Sequence, residues 1–447
     1  MSEEAWPYAA DSDPASLDAA SADFGHLIRR RPAAVCRPGS AQDVAAAVRW
    51  AAGRRMPVAA RGQGHSVYGR AQAGGGLVID MSELGAVHAV EADRVTAGGG
   101  ATWRSVLDAA LPHGLTPPVL TDYLDLSVGG SVSAGGVGGM TFRHGFQSCN
   151  VVELEVVTGE GEIVTCSAST HAGLFDAVRA GLSQYGIITR AVLRLVRAPE
   201  LVRLHTLFYP DHRAMTADQR RLLSTGRVDY LEGAIRPHPP GWQHVIEAGV
   251  WHAADSPPDD DETLAGLSDL RARAESVDLP YPELFRRLSK LESSLRAAGT
   301  WHDPHPWLHS FIPDASADDL VAELLTDLRQ EDLGEFGRLL LYPIHPGRAR
   351  TPLMRLPEGE VAFLCGFVRF PADDPSLTDR LVKANRTAYD RIRAVGGHLY
   401  PVSAVALTQA DWKDHYGPWW PAVENAKARF DPRHLLTPGQ GMFPDSP

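Results

Sequence analysis

The run Arg61-Gly62-Gln63-Gly64-His65-Ser66-Val67-Tyr68-Gly69 decides how the first half of this chain reads. Glycines at 62, 64 and 69 permit positive φ and let backbone approach a ligand closely. Successive N–H groups in such a loop form an anion nest suited to a diphosphate. The run is not a G-x-G-x-x-G fingerprint: its third glycine is misplaced and no helix clearly opens there. No Gly-Lys-Ser/Thr ends it, so it is not a P-loop either. A second tract, Gly129-Gly130-Ser131-Val132-Ser133-Ala134-Gly135-Gly136-Val137-Gly138-Gly139, is longer still. Either tract alone reads as ordinary turns. Two of them flanking a strand-rich segment point to a ligand cradle.

Outward from these tracts the chain alternates. Ser40 caps a helix carrying Val44 and Val48 on one face, and short strands are expected at 57–61, 77–81 and 94–97. A helix is expected at 102–110. Val152, Leu154 and Val156 alternate on one side of a hairpin turned by Thr158-Gly159-Glu160-Gly161. A helix through Leu174, Phe175 and Val178 then leads to a long strand at 187–196. After about residue 200 glycine thins, and longer helices appear. Leu320, Leu324 and Leu328 mark one capped by Ser316, and 378–394 another stopped by Gly396-Gly397. The pattern predicts an α+β fold with an irregular polar arm at 1–27, a first domain at 28–200, a second at 201–405, and a turn-rich segment at 406–447 returning to the first.

Composition narrows the function classes. The chain has 447 residues, 44% hydrophobic and 22% charged, which excludes a disordered chain or a fibre. With 43 basic and 55 acidic residues the net charge is -12, so no nucleic-acid partner is expected. No apolar run reaches the ~18 residues of a membrane span. Met1-Ser2-Glu3-Glu4-Ala5 lacks the basic start of an export signal, and the 4 cysteines are scattered without a CxxC pair. A cytoplasmic protein that is a monomer or homodimer is expected. His302-Asp303-Pro304-His305 lacks a helical i, i+4 pair, so no metal site is expected. Trp307 reads as core, and Trp412, Trp419, Trp420 and Phe430 read as packing for the C-terminal segment.

Arg61-Gly62-Gln63-Gly64-His65-Ser66 followed by Val78-Ile79-Asp80-Met81 resembles the vanillyl-alcohol-oxidase/PCMH-type FAD-binding fold. Thr121-Asp122-Tyr123-Leu124-Asp125-Leu126-Ser127-Val128-Gly129-Gly130 is similar to the signature of cytokinin dehydrogenases. So are Phe142-Arg143-His144-Gly145, Tyr185-Gly186-Ile187-Ile188-Thr189-Arg190, Asp229-Tyr230-Leu231-Glu232-Gly233, His305-Pro306-Trp307-Leu308 and Thr437-Pro438-Gly439-Gln440. The likeness runs from about 30 to 445. It implies a PCMH-type FAD-binding domain of two α/β subdomains plus an α+β cap over the substrate.

The resemblance further implies FAD attached covalently, 8α-histidyl, through His65, whose neutral imidazole can attack an electrophilic flavin methyl. Berberine-bridge-type relatives add a cysteinyl link. No cysteine lies between Tyr123 and Ser127, and Cys149 is beyond the motif, so a single attachment is expected. Gly62, Gly64, Ser66, Ser127, Ser133, Val137, Ile188, Thr437 and Gln440 fall at FAD-contacting positions, with Arg70 where the family often has Gln. Asp122 falls at the catalytic aspartate, which accepts a proton from the substrate amine; Asp125 is given no role. The implied reaction is FAD-dependent hydride removal from the carbon next to an amine, in an N6-alkenyl adenine or another secondary amine, with a quinone or O2 as electron acceptor. The alternative is a PCMH-type oxidase of an alcohol, sugar or natural product.

Two stretches depart from the plant pattern on the substrate side. Ile344-His345-Pro346-Gly347-Arg348-Ala349-Arg350-Thr351 lacks a substrate-covering tryptophan, and Ala404-Val405-Ala406 replaces a Pro-His-Tyr element, with Tyr400 just upstream. Arg348 or Arg350 would admit a polar or anionic substrate, or else both are solvated.

Overall fold

A computed structural model describes residues 12–443 and shows an α+β protein. Ala34–Cys36, Leu77–Asp80 and Val58–Arg61 form a small parallel sheet in that order. The helix Ala41–Gly53, capped as expected by Ser40 (Asp43 N–H to Ser40 Oγ, 3.2 Å), packs Val44 and Val48 against it. A five-stranded sheet contains the expected hairpin, Val151–Val157 with Ile163–Ser167, and the long strand Ile187–Arg194.

Beyond residue 200 an eight-stranded antiparallel sheet forms. Its central strands are Gly241–His252, Tyr230–His238, Arg338–Ile344 and Ala362–Val368. Side chains alternate across a sheet, so each strand has two distinct faces. Leu231, Ile235, Leu339, Leu341, Phe363 and Cys365 pack with residues of the helices His212–Thr225, Asp314–Asp327 and Pro375–Ala394 in one apolar core. The opposite face, carrying Glu232, Ala234, Arg236, Arg338, Leu340 and Tyr342, is turned to a cavity. The sheet therefore has an oily side that anchors it and a polar side that works.

Three expectations need correction. The helix over Leu320 starts at Asp314, before Ser316, and has no side-chain cap. The arm contains the short helix Pro14–Ala20 capped by Asp13, and Phe24 beyond it is buried; residues 1–11 of the arm lie outside the described residues. Trp412 and Trp420 are buried, but Trp419 is 45% exposed.

The C-terminal residues join the first sheet. Val58 N–H donates to the Leu435 carbonyl (2.8 Å) and Thr437 N–H to the Val58 carbonyl (2.7 Å). The turn that delivers them is held by a buried ion pair, Lys427 Nζ to Asp431 Oδ2 at 2.7 Å. Asp431 also accepts from the N–H groups of Leu435 (3.0 Å) and Leu436 (2.8 Å), and Lys427 donates to the Gln184 carbonyl (2.9 Å). A buried pair this fully hydrogen-bonded is costly to break from one side.

Buried histidines, His305 and His415 among them, give the fold a pH dependence. Burial pushes His305 down to about 4 and His415 down to about 3. In the unfolded chain each titrates near 6.5. Between those values the unfolded chain binds the protons, so their stabilisation is complete above about pH 6.5 and is lost as pH falls. Asp23, raised to about 6 by burial, opposes this with one proton over part of the range. Melting temperature is expected to fall progressively below pH 6, as the free energy of unfolding drops by about 1.4 kcal/mol per pH unit for each excess proton the unfolded chain binds. A melting temperature constant from pH 7 to 4.5 would contradict this assignment.

Candidate active site

A cavity of about 610 Å³ lies between the glycine tracts and the polar face of the large sheet. Gly62, Gly64, His65, Ser66, Arg70, Asp122, Ser127, Ser133, Val137, Thr437 and Gln440 all line it. Ile188 is not brought there: its side chain is in the core of the five-stranded sheet. Arg348 and Arg350 are exposed and do not line it, so neither contacts a ligand in the cavity.

The two tracts touch. A Cβ on Gly62 would stand 2.7 Å from Ser127 Cβ, closer than side chains pack, and Gly64 has φ +65°. The second tract is not the run of turns it reads as. Val128–Ala134 is a helix capped by Ser127, whose Oγ accepts from Gly130 N–H at 3.4 Å. Packing of Val128 and Val132 into the core overrides the poor helix propensity of its glycines. Gly136 then donates its N–H to Tyr400 Oη (3.1 Å), which brings Tyr400 into the cavity wall. Arg70 directs its guanidinium to the carbonyls of Val405 (2.7 Å) and Gln440 (3.1 Å), tying the first loop to the C-terminal segment.

His65 is sandwiched. Its ring stacks on Phe24 at 4.0 Å and on Tyr123 at 4.6 Å, with interplanar angles of 17° and 22°. Burial first, then nearby His305 and Arg296, push it down to about 3, so the imidazole is neutral and keeps a lone pair. Asp23 in the arm accepts from Gly69 N–H (2.7 Å) and Ser66 Oγ (3.2 Å), fixing the loop on either side. Trp307, expected in the core, lines the cavity and anchors its indole N–H on the Arg369 carbonyl (2.8 Å).

Asp122 faces a buried polar group that the sequence alone did not assign. Glu232 is 7% exposed, and burial followed by the charge of Asp122 drives its carboxyl well up. The proximity of the two carboxyls thus favours the protonated form of Glu232 beside Asp122. Arg287 donates to Tyr230 Oη at 2.6 Å, and Tyr230 donates onward to Asp122 Oδ1 at a long 3.5 Å. Arg287 also pairs with Glu247 at 2.6 Å, as does Arg236 at 3.3 Å. Burial opposes the charge on Glu247, but these arginines overcome it and hold it low. Asp125 points away, paired to Arg104 by two 2.7 Å hydrogen bonds. The available signal was the alternation Tyr230, Glu232, Ala234, Arg236 along one strand face.

Family models match the chain over residues 32–167 (FAD binding domain) and 244–443 (cytokinin dehydrogenase 1, FAD and cytokinin binding). Cytokinin dehydrogenase 4 of Oryza sativa subsp. japonica is 36% identical over 474 residues, covering 95% of this chain and 88% of that protein. The chain belongs to the cytokinin dehydrogenase family. Another relative in it, cytokinin dehydrogenase 4 of Arabidopsis thaliana, is 33% identical over 487 residues, 97% of this chain and 92% of that one. An uncharacterized oxidoreductase in the fasciation locus of Rhodococcoides fascians is 37% identical over 432 residues, 96% and 98% of the two chains. The family makes this chain an FAD-dependent oxidoreductase with a small-molecule substrate. The cavity fits that cofactor: its glycine floor admits a ligand against bare backbone, and the buried polar atoms Ser131 Oγ and Gln440 Oε1 have no partner in the protein. Among the described residues no cluster suits a metal ion and no helix is long and apolar enough to cross a membrane.

Proposed function

We propose that the chain oxidises the C–N bond of an N6-alkenyl adenine, or of a closely similar secondary amine, with Asp122 as the base. The observation that carries this reading is the Asp122–Glu232 pair set inside a cavity whose middle is apolar. The bound flavin supplies the acceptor for hydride from the carbon next to the amine. Asp122 takes the proton from the amine nitrogen as the C=N bond forms. Glu232, protonated, donates to Asp122 and keeps a second negative charge out of the site. Tyr230, held by Arg287, orients Asp122 from the other side. Leu288, Leu291 and Leu295 on the helix Tyr281–Ala298 close the apolar wall over an alkenyl chain and exclude water.

His65 carries the FAD through a single covalent link in this reading. A neutral ring pinned between two aromatics presents its nitrogen without a protonation cost. Cys149 supports the single attachment: its Sγ is engaged with Thr351 Oγ1 (3.3 Å) and it does not line the cavity. Gly62, Gly64, Ser66, Ser127, Ser133, Val137, Thr437 and Gln440 hold the cofactor. The division of labour puts cofactor binding in 28–200, the cap in 201–405, and the returning segment in 406–447. Electrons leave to a quinone-type acceptor or O2.

The test is anaerobic bleaching of the purified holoenzyme by a donor panel. Isopentenyladenine is expected to bleach it within seconds, while alcohols and sugars do not. Bleaching by alcohols alone would replace the amine reading with an alcohol oxidase.

A further inference from the structure

The polar face of the sheet has a second charged end that the proposed reaction does not use. Ala234 pairs with Leu340 and Ile235 with Leu339 across neighbouring strands. One step further that register sets Arg236 beside Arg338, both on the cavity side. Glu232 and Arg236 lie four residues apart on one strand face, about 13 Å at the usual strand rise. Ala234, Val245 and Leu340 line the interval. The cavity is thus acidic at the Asp122 end, apolar in the middle and basic at the far end, near the exposed hairpin turn at 239–240.

The basic end is only partly neutralised from within, Arg338 feeling Glu247, Asp122 and Glu232 through space without an ion pair to any of them. Glu247 is already shared by Arg236 and Arg287. Among the described residues no carboxylate lies within ion-pair distance of Arg338, whose one hydrogen bond is to the Phe336 carbonyl at 3.3 Å. Arg236 Nε is buried with no partner. Two half-buried guanidiniums on one cavity wall, with N–H donors to spare, call for an anion. A lone arginine at a surface needs no such explanation; a facing pair inside a ligand cavity does.

We propose that Arg338 and Arg236 form an anion subsite, and that the substrate carries a phosphate or carboxylate at the end remote from its oxidised C–N bond. This rests on the amine reading only for orientation: Asp122 marks the reacting end. Two arginine forks match the oxygens of a phosphate monoester or a carboxylate. For an N6-substituted adenine the natural carrier is its nucleoside 5′-phosphate, whose anion lies on the side of the purine away from N6.

Binding to the oxidised holoenzyme tests this without turnover. Adenosine, adenosine 5′-monophosphate and adenosine 5′-carboxylic acid are compared by calorimetry at low salt. One or both anions are expected to bind roughly ten- to hundred-fold tighter than adenosine, the gap narrowing as salt rises. Which anion gains more separates phosphate from carboxylate. Arg338→Gln is expected to shrink the ratio to about threefold or less, and Arg338→Lys to restore part of it, which a merely folding-related loss would not do. Equal binding of all three to the wild type, or an undiminished ratio in Arg338→Gln, overturns the subsite. Should isopentenyladenine fail to bleach the flavin while the anion preference holds, the amine reading falls and the subsite stands.

Discussion

Asp122→Asn is expected to retain its flavin and to be reduced by substrate about 10²- to 10⁴-fold more slowly than the wild type. The substitution preserves shape, so the cavity, its glycine floor and the Tyr230–Arg287 contact stay in place. What it removes is the one oxygen pair able to take the amine proton. The protonated Glu232 cannot substitute, because the burial that keeps it neutral makes it a donor and not a base. Rapid-mixing measurement of anaerobic bleaching reads the chemical step directly. A rate within tenfold of the wild type would remove Asp122 from the mechanism. Glu232→Gln is the informative companion: its amide still donates to Asp122, so a much smaller loss is expected.

His65→Ala is expected to abolish covalent attachment completely. In acid-precipitated wild-type protein the yellow colour stays with the pellet; in the variant it passes to the supernatant. The reason is positional as much as chemical. Phe24 and Tyr123 hold the ring at 4.0 and 4.6 Å and leave it no room to swing. No other neutral imidazole or thiol occupies that place: His305 is itself buried behind Phe24, its Nδ1 2.9 Å from the Phe24 carbonyl, and Cys149 lies outside the cavity. A pellet still yellow in the variant would assign the link to another residue. Flavin washed from the wild type by acid would show that there is no link.

The fold was largely legible because its signals are local. Ser40 before Val44 and Val48, and the alternation 152–156 around a Gly turn, each carry their own geometry. So was the close approach of the two glycine tracts, where Gly62 meets Ser127. What escaped reading is what needs distant parts of the chain to meet. Phe24 looked like part of a featureless arm until it stacked on His65. Val128–Ala134 looked like turns because its glycines disfavour helix in isolation, and only tertiary packing decides otherwise. Arg348 and Arg350 drew notice by their place in a departing stretch, yet besides Arg70 the arginines in the cavity are Arg236, Arg287 and Arg338, and it is these last three that sequence reading missed. These come from two strands and a helix, and no window of sequence holds them together.

The seam between Val58 and Leu436 has a consequence for how the molecule is made. The strand Val58–Arg61 leads straight into the His65 loop, yet its neighbour on one side is supplied by Leu436, far along the chain. A nascent chain therefore emerges from the ribosome with that sheet open along one border, and domains generally complete themselves as units. The border of the sheet beside the His65 loop is therefore completed only after Leu436 has been made.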